Sequence, residues 1–423
     1  MYDSPALFAS QRLTSNPPYT DEIDLNGPIS LSNPWGTYPG GDPFPGVFPP
    51  DASAPFPTNT LYVLMPRHIQ IPTVNQWTAS FQQDLGRGWN FSLNYLGNTN
   101  SHLWLGRAIN PAVYIPGTYN PAVAGSCGAI PAAGLPKSGA NCSSTTNTNY
   151  RTLLTLANPA QGIFYSPTMT QIDDGATSSY NGVITAIQHR MSNNFSFLGN
   201  YTWSHCISVG DTPGDVAGPS FENPNNRRMD RANCGYDFRH IFNTTLVASS
   251  HISSLHGLTA ALVNNWQIAP LVRITSGAPL NITSGTDNSL TGQGLDRPNL
   301  VPGVPVYTHQ KITQSATGNR FYFNRAAFTQ NAPGTFGNLG RNAFRGPKFF
   351  EVDASLNRTF PFRERLALNV RLEAFNVLNH PNFTNNSASG AGAFTTGLNS
   401  ATFGSITGAA DPRIFQAAAK ITF

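Results

Sequence analysis

Segments of period-two alternation recur along this chain in pairs, and the connections between them run short, long, short, long. Trp77, Ala79 and Phe81 alternate with Gln76, Thr78, Ser80 and Gln82; beyond Leu85–Gly88, Trp89, Phe91, Leu93 and Tyr95 alternate with Asn90, Ser92 and Asn94. Tyr180–Arg190, where Tyr180, Ile184 and Ala186 oppose Asn181, Thr185 and His189, leads through Met191–Asn194 into the alternating Phe195, Phe197, Gly199, Tyr201 and Trp203. A looser pair spans Phe238–Ser250 and Val263–Thr275. In the last pair, Phe350, Val352, Ala354 and Leu356 precede Pro361–Glu364, and Leu366, Leu368, Val370, Leu372 and Ala374 follow it. The chain ends on Phe415, Ala417, Ala419, Ile421 and Phe423, set against Gln416, Ala418, Lys420 and Thr422. Side chains on a strand alternate between faces, so each segment has one apolar face and one polar face.

The connections at 85–88, 191–194, 251–260 and 361–364 are short, and those at 100–177, 206–237, 276–348 and 378–412 are long. A soluble sandwich has no physical reason to place every long loop at one end. A membrane β-barrel does, with tight periplasmic turns at one rim and large extracellular loops at the other. Charges fit that reading. Arg273, Arg371 and Glu373 sit mid-strand on the polar rows, where they would face the lumen, and the apolar rows carry charge only near strand ends, as at Arg190 and Arg358. A charge at the bilayer midplane on the lipid side costs about 2–4 kcal/mol. The aromatics Trp77, Trp89, Tyr95, Tyr201, Trp203 and Trp266 fall mainly on the apolar rows, as interfacial girdles require.

Only 11% of the 423 residues are charged, against about a quarter in soluble globular proteins. Turn and strand formers dominate, which points to an all-β class. A net charge of +4 without any Lys/Arg run argues against nucleic acid as a partner. No stretch approaches the length of a transmembrane helix. The start, Met1-Tyr-Asp-Ser-Pro5, offers neither a basic nor an apolar signal region, so an exported chain of this kind is expected to be a fragment. Residues 1–73 read as a partial strand (near Tyr19–Leu25) and a Pro/Gly-rich loop, the start of the fragment, and 74–423 as the C-terminal part of the barrel.

Cys127, Cys142, Cys206 and Cys234 all sit in loop-like sequence and allow three pairings. The local pairing, Cys127–Cys142 with Cys206–Cys234, would close two separate loops in an oxidising compartment; free cysteines are the plainer alternative, and the spacing does not suit zinc. Asp287, Asn288 and Asp296 lie in a Gly-rich run without the closing Glu of a calcium loop, so turn chemistry is preferred. Ser204, His205 and Asp211 evoke a triad, but no nucleophile elbow accompanies them. No catalytic, cofactor or metal residue is therefore assigned, and no enzyme is expected.

Several segments resemble the C-terminal barrel portion of TonB-dependent, Oar-like outer-membrane receptors of the acidobacterial type. They include Thr73–Gln83, Ser179-Tyr-Asn-Gly182 with Tyr201-Thr-Trp-Ser204, Arg239-His-Ile-Phe242, Ser276–Leu280 through Asp296–Asn299, and Phe323–Phe328. The most specific is Gly334-Thr-Phe-Gly-Asn-Leu-Gly-Arg-Asn-Ala-Phe-Arg-Gly-Pro347, followed by Phe350–Leu356 and Glu373–Asn379. The resemblance implies a 22-stranded barrel with an N-terminal plug and a TonB box. Against that pattern this chain carries about nine to eleven strands of a partial barrel, without the plug or the other barrel half. Contact with TonB would run only through those missing parts. The other expected partners are outer-membrane lipid, the barrel-assembly machinery reading the terminal Phe423, and an unidentified bulky ligand. The expected function is uptake or binding of that ligand at the outer membrane. The alternative is a secreted or surface-attached all-β binding protein, an adhesin or carbohydrate-binding module.

Overall fold

The computed structural model describes residues 62–192, 194–210, 218–308, 320–363, 366–383 and 394–423, together with 30, 32, 33, 35 and 36. The expected strand near Tyr19–Leu25 and the Pro/Gly-rich loop to Pro57 fall almost wholly outside the described residues. Nine long strands dominate: β1 (Thr73–Gly86), β2 (Trp89–Ala108), β3 (Thr170–Ser192), β4 (Phe195–Ser208), β5 (His240–Ser249), β6 (Trp266–Thr275), β7 (Phe349–Arg363), β8 (Leu366–Phe375) and β9 (Ile414–Thr422). Each pairs with its sequence neighbour, all antiparallel, in one meander from β1 to β9. The fold is an antiparallel sheet of the barrel type, and the sheet is not closed: β1 and β9 are its edges. No helix among the described residues is long and apolar enough to cross a membrane.

Register turns the alternation of single strands into continuous rows. Phe195, Ala248, Ile268, Leu356, Leu372 and Ala417 are successive cross-strand partners on one face from β4 to β9. On the other face Gln82, Ser92, Ala186, Asn200, Asn243, Arg273 and Glu351 form a row from β1 to β7. Cross-strand neighbours of like polarity fix the register, because a slip of one residue would exchange the two faces. Many large side chains of the apolar face are exposed in the isolated chain, among them Ile268, Leu356, Val370 and Leu372.

The rows correct one expectation. Tyr180, Ile184 and Ala186 of β3 belong to the polar face, since Ile184 pairs with Thr202 and Ala186 with Asn200. The apolar row of β3 is Asn181, Val183, Thr185, Ile187 and His189, opposite His205, Trp203, Tyr201, Gly199 and Phe197. The strand's own alternation is weak, and its more strongly patterned neighbours decide which way it faces.

The connections keep their short–long order. Gly86 pairs with Trp89, and Arg87 and Gly88 turn the chain with φ of 53° and 86°, the left-handed backbone of a two-residue hairpin. Ser192 pairs with Phe195, and Arg363 with Leu366. The third turn differs from expectation. It runs through 250–265 and contains a helix, α1 (Gly257–Val263), whose last residue the sequence placed at the start of β6. Val263 is apolar and β-branched, so its local pattern does not separate a helix end from a strand start.

Aromatics border the apolar face at both rims. At the loop rim Trp77 Nε1 donates to Tyr95 Oη at 3.3 Å, and Tyr95 donates to Asn181 at 2.8 Å. A Cβ on Gly97 would lie 2.2 Å from the Trp77 indole, so only glycine lets that ring lie across β2. At the turn rim Trp89 packs against His189, Phe195 and Phe197.

Candidate functional site

The buried apolar core among the described residues lies mainly in the long connections and not on the nine-stranded sheet. Leu280, Ile282, Phe323, Phe328, Phe394 and Phe403 are buried together, drawn from 276–348 and 376–413. Phe328 meets Phe403 edge-on at 5.3 Å, a geometry that favours aromatic pairs. The loops thus fold on one another as a cap at one end of the sheet.

Buried ion pairs hold the cap. Arg297 is 3% exposed and its Nη1 lies 2.7 Å from Asp230 Oδ1; its Nη2 pairs with Glu222. Its Nε donates to Leu339 O at 2.9 Å, and its backbone N–H donates to Glu222 Oε1 at 2.8 Å. Arg341 donates to Asp230 O at 3.0 Å and to Ser208 O at 2.8 Å. Arg345 pairs with Asp237, which also accepts the Cys206 amide at 2.8 Å. Connection 209–239 is thereby fastened to 276–348. Arg151, fully buried, donates to Asn147, Val113 O, Ser144 O and Leu290 O, joining 109–169 to the same assembly.

Cys127 is bonded to Cys142 and Cys206 to Cys234, with Cα–Cα distances of 5.3 and 5.4 Å. Cys206 stands within β4 and not in a loop as its sequence suggested. The second disulfide therefore ties the 209–239 connection directly to the wall.

Burial pushes the Glu222 carboxyl up to about 7, against the opposing pull of the Arg297 guanidinium, and burial also raises Asp230 and Asp296. The folded cap keeps a proton on Glu222 that the unfolded chain releases above its ordinary value of 4.5. Its stabilising contribution is complete below that value and is lost as pH rises through about 7. Amides of 218–239 are thus expected to be better protected against hydrogen exchange at pH 5 than at pH 8, after correction for intrinsic rates. Glu222→Gln should flatten the difference; an unchanged pH dependence in that variant would dismiss Glu222 as its source.

Between the cap and the sheet lies a cavity of about 600 Å³, lined in part by Ile241, Asn243, Arg273 and Thr275 of β5 and β6 and by Phe349 and Phe394. The wall residues among these belong to the polar face. The cap therefore folds over the polar side of the sheet and leaves the apolar side bare. Arg273 lies 5.2 Å from the Phe349 ring centroid and is the cross-strand partner of Glu351. Arg371 Nε stands 3.4 Å from Glu373 Oε1 lower on the same face. Phe423 is 99% exposed, just beyond β9.

The structure does not assemble the triad considered from sequence. Ser204 donates to Phe238 O at 3.1 Å, while His205, next to it on β4 and so on the opposite face, contacts Asn233. Asp211 lies outside the described residues. Asp287 accepts from the backbone of Thr291 and Gly292, and Asp296 accepts from Ser289 N, as turn-stabilising carboxylates do. The Arg297 cluster escaped sequence reading because its members lie 67 and 75 residues apart.

A wall with one apolar and one polar face, girdled by aromatics and capped on its polar side, is the arrangement of an outer-membrane β-barrel. The chain belongs to that family: residues 1–416 match the family described as "Outer membrane beta barrel domain", and the protein is accordingly located in the outer membrane. No curated protein matches the sequence. Among solved structures it is similar to the outer membrane transporter YddB from Escherichia coli, with 8% identity and a TM-score of 0.40, over 86% of this chain and 35% of that one. It is also similar to the ferripyoverdine receptor of Pseudomonas aeruginosa, with 10% identity and a TM-score of 0.36, over 86% of this chain and 29% of that one. A third is a mutant form of the ferric enterobactin receptor PfeA of the same organism, with 10% identity and a TM-score of 0.34, over 84% of this chain and 31% of that one. The chain thus spans 35% or less of the length of these structures.

Proposed function

We propose that residues 74–423 are the C-terminal part of the barrel of a TonB-dependent receptor of the Oar-like type, which binds or takes up a bulky ligand beneath its loop cap. The observation that carries the reading is the pair of open edges. In a meander of nine strands β1 and β9 run in the same direction, so they cannot close on each other through an antiparallel ladder. Unpaired backbone groups are not tolerated in hydrocarbon. In this reading further strands stand between β9 and β1 beyond the described ones, and the motif resemblance supplies a class of protein that has them. In that setting Arg273, Arg371 and Glu373 face the lumen, where a plug or water meets them. Phe423 closes the last strand at the periplasmic rim, where the barrel-assembly machinery reads it. Contact with TonB belongs to the plug-bearing part. A freely secreted β module has no use for a lipid-compatible row that runs unbroken from β4 to β9.

The test is fractionation of cells producing the full-length gene product, followed by electrophoresis with and without heating. A heat-modifiable band in the outer-membrane fraction is expected. A soluble periplasmic product would sink the assignment.

A further inference from the structure

Helix α1 is bound to the sheet from its lipid side. Trp266 and Arg358 are cross-strand partners on the apolar row at the turn rim. Trp266 Nε1 donates to the Leu262 carbonyl at 2.9 Å, and Arg358 donates to the Ala261 carbonyl. The Arg358 guanidinium lies 4.6 Å from the Trp266 ring centroid and 4.5 Å from that of Phe360, another member of the same row. Two side chains of the lipid-facing row thus hold the last turn of the helix.

The loop around the helix is closed tightly. Ser250 Oγ donates to Val263 O at 2.5 Å, and Asn264 exchanges hydrogen bonds with both backbone groups of Ile252 at 2.8 and 3.2 Å. The helix is therefore fixed in place and not a frayed turn. Yet Leu258 is 80% exposed and Leu262 59%, one turn apart on one stripe, with Val263 and Ile252 also exposed beside them. Apolar side chains held outward by such anchoring call for a covering phase. A Trp–Arg pair at the edge of the hydrocarbon is the side-chain chemistry of a membrane interface.

We propose that α1 is an interfacial helix, lying in the headgroup–acyl boundary of the leaflet at the turn rim with Leu258 and Leu262 inserted into lipid. The occupant is lipid because the helix continues the apolar row that already faces the bilayer, through residues of that row. A short amphipathic segment of this kind immerses its apolar side by about 5–10 Å. It would fix the vertical position of the β5–β6 hairpin against the bilayer.

The test places single nitroxide labels on the full chain, reconstituted in phosphatidylethanolamine–phosphatidylglycerol vesicles. The described cysteines are all in disulfides, so an introduced cysteine takes the label. Leu258→Cys and Leu262→Cys are compared with Leu356→Cys on the apolar row and Lys420→Cys on the polar row. Collision rates with oxygen and with a water-soluble nickel chelate are read for each. The oxygen-to-nickel ratio at 258 and 262 is expected to approach that at 356 and to exceed that at 420. Ratios at 258 and 262 equal to that at 420, with 356 still lipid-like, would overturn the helix proposal alone and leave a periplasmic protein as the covering partner. A water-like ratio at 356 as well would overturn the membrane wall with it.

Discussion

Arg297→Met is expected to destabilise the loop cap by about 3–5 kcal/mol, the cost of leaving buried charge without its partner. Arg297 is the common counterion of Asp230 and Glu222, and the pairs are almost wholly shielded from water. The burial that raises both carboxyls would then act on them unopposed. Hydrogen exchange in 218–239 and 320–345 measures the loss, because the cluster joins these connections. Protection lost by under about 1 kcal/mol would mean the cluster is far better hydrated than its burial implies. The triple variant Glu222→Gln, Asp230→Asn, Arg297→Met should recover much of the loss, since removing all partners strands no charge.

Leu356→Arg is the second large effect. Leu356 lies on the apolar row between Ile268 and Leu372, and arginine there should weaken folding into vesicles by about 2–4 kcal/mol. Ser355→Arg, one residue away, faces the polar side and has Glu373 as its cross-strand partner, so its cost should be close to zero. Urea unfolding in lipid vesicles reads both. Equal costs at 355 and 356 would refute the assignment of the two faces.

The wall was legible in the sequence because its determinants are local. Trp89, Phe91, Leu93 and Tyr95 declare a face within one strand, and a turn such as Arg87-Gly88 declares its geometry within two residues. Where the local signal was weak, as at Ile184 and Ala186, the face was set by Asn200 and Thr202 on the next strand, which single-strand alternation does not register. Helix α1 was missed because 251–260 read only as a short connection and Val263 suits a strand start as well as a helix end. The cap was legible as length, as a local pairing of its cysteines and as the turn chemistry of Asp287 and Asp296. Its order comes from contacts such as Arg151 to Leu290, 139 residues apart, and no spacing rule links such positions.

The placement of the apolar core among the loops divides the molecule into two parts that answer to different solvents. The wall depends on a hydrocarbon phase around it, whereas the cap has its own interior of phenylalanines, buried arginines and disulfides. Conditions that perturb the bilayer should therefore loosen the strands first. Protease added from the loop side would meet a compact cap instead of the open loops that a barrel diagram suggests, and fragments retaining the 276–348 and 394–413 segments together should outlast the rest.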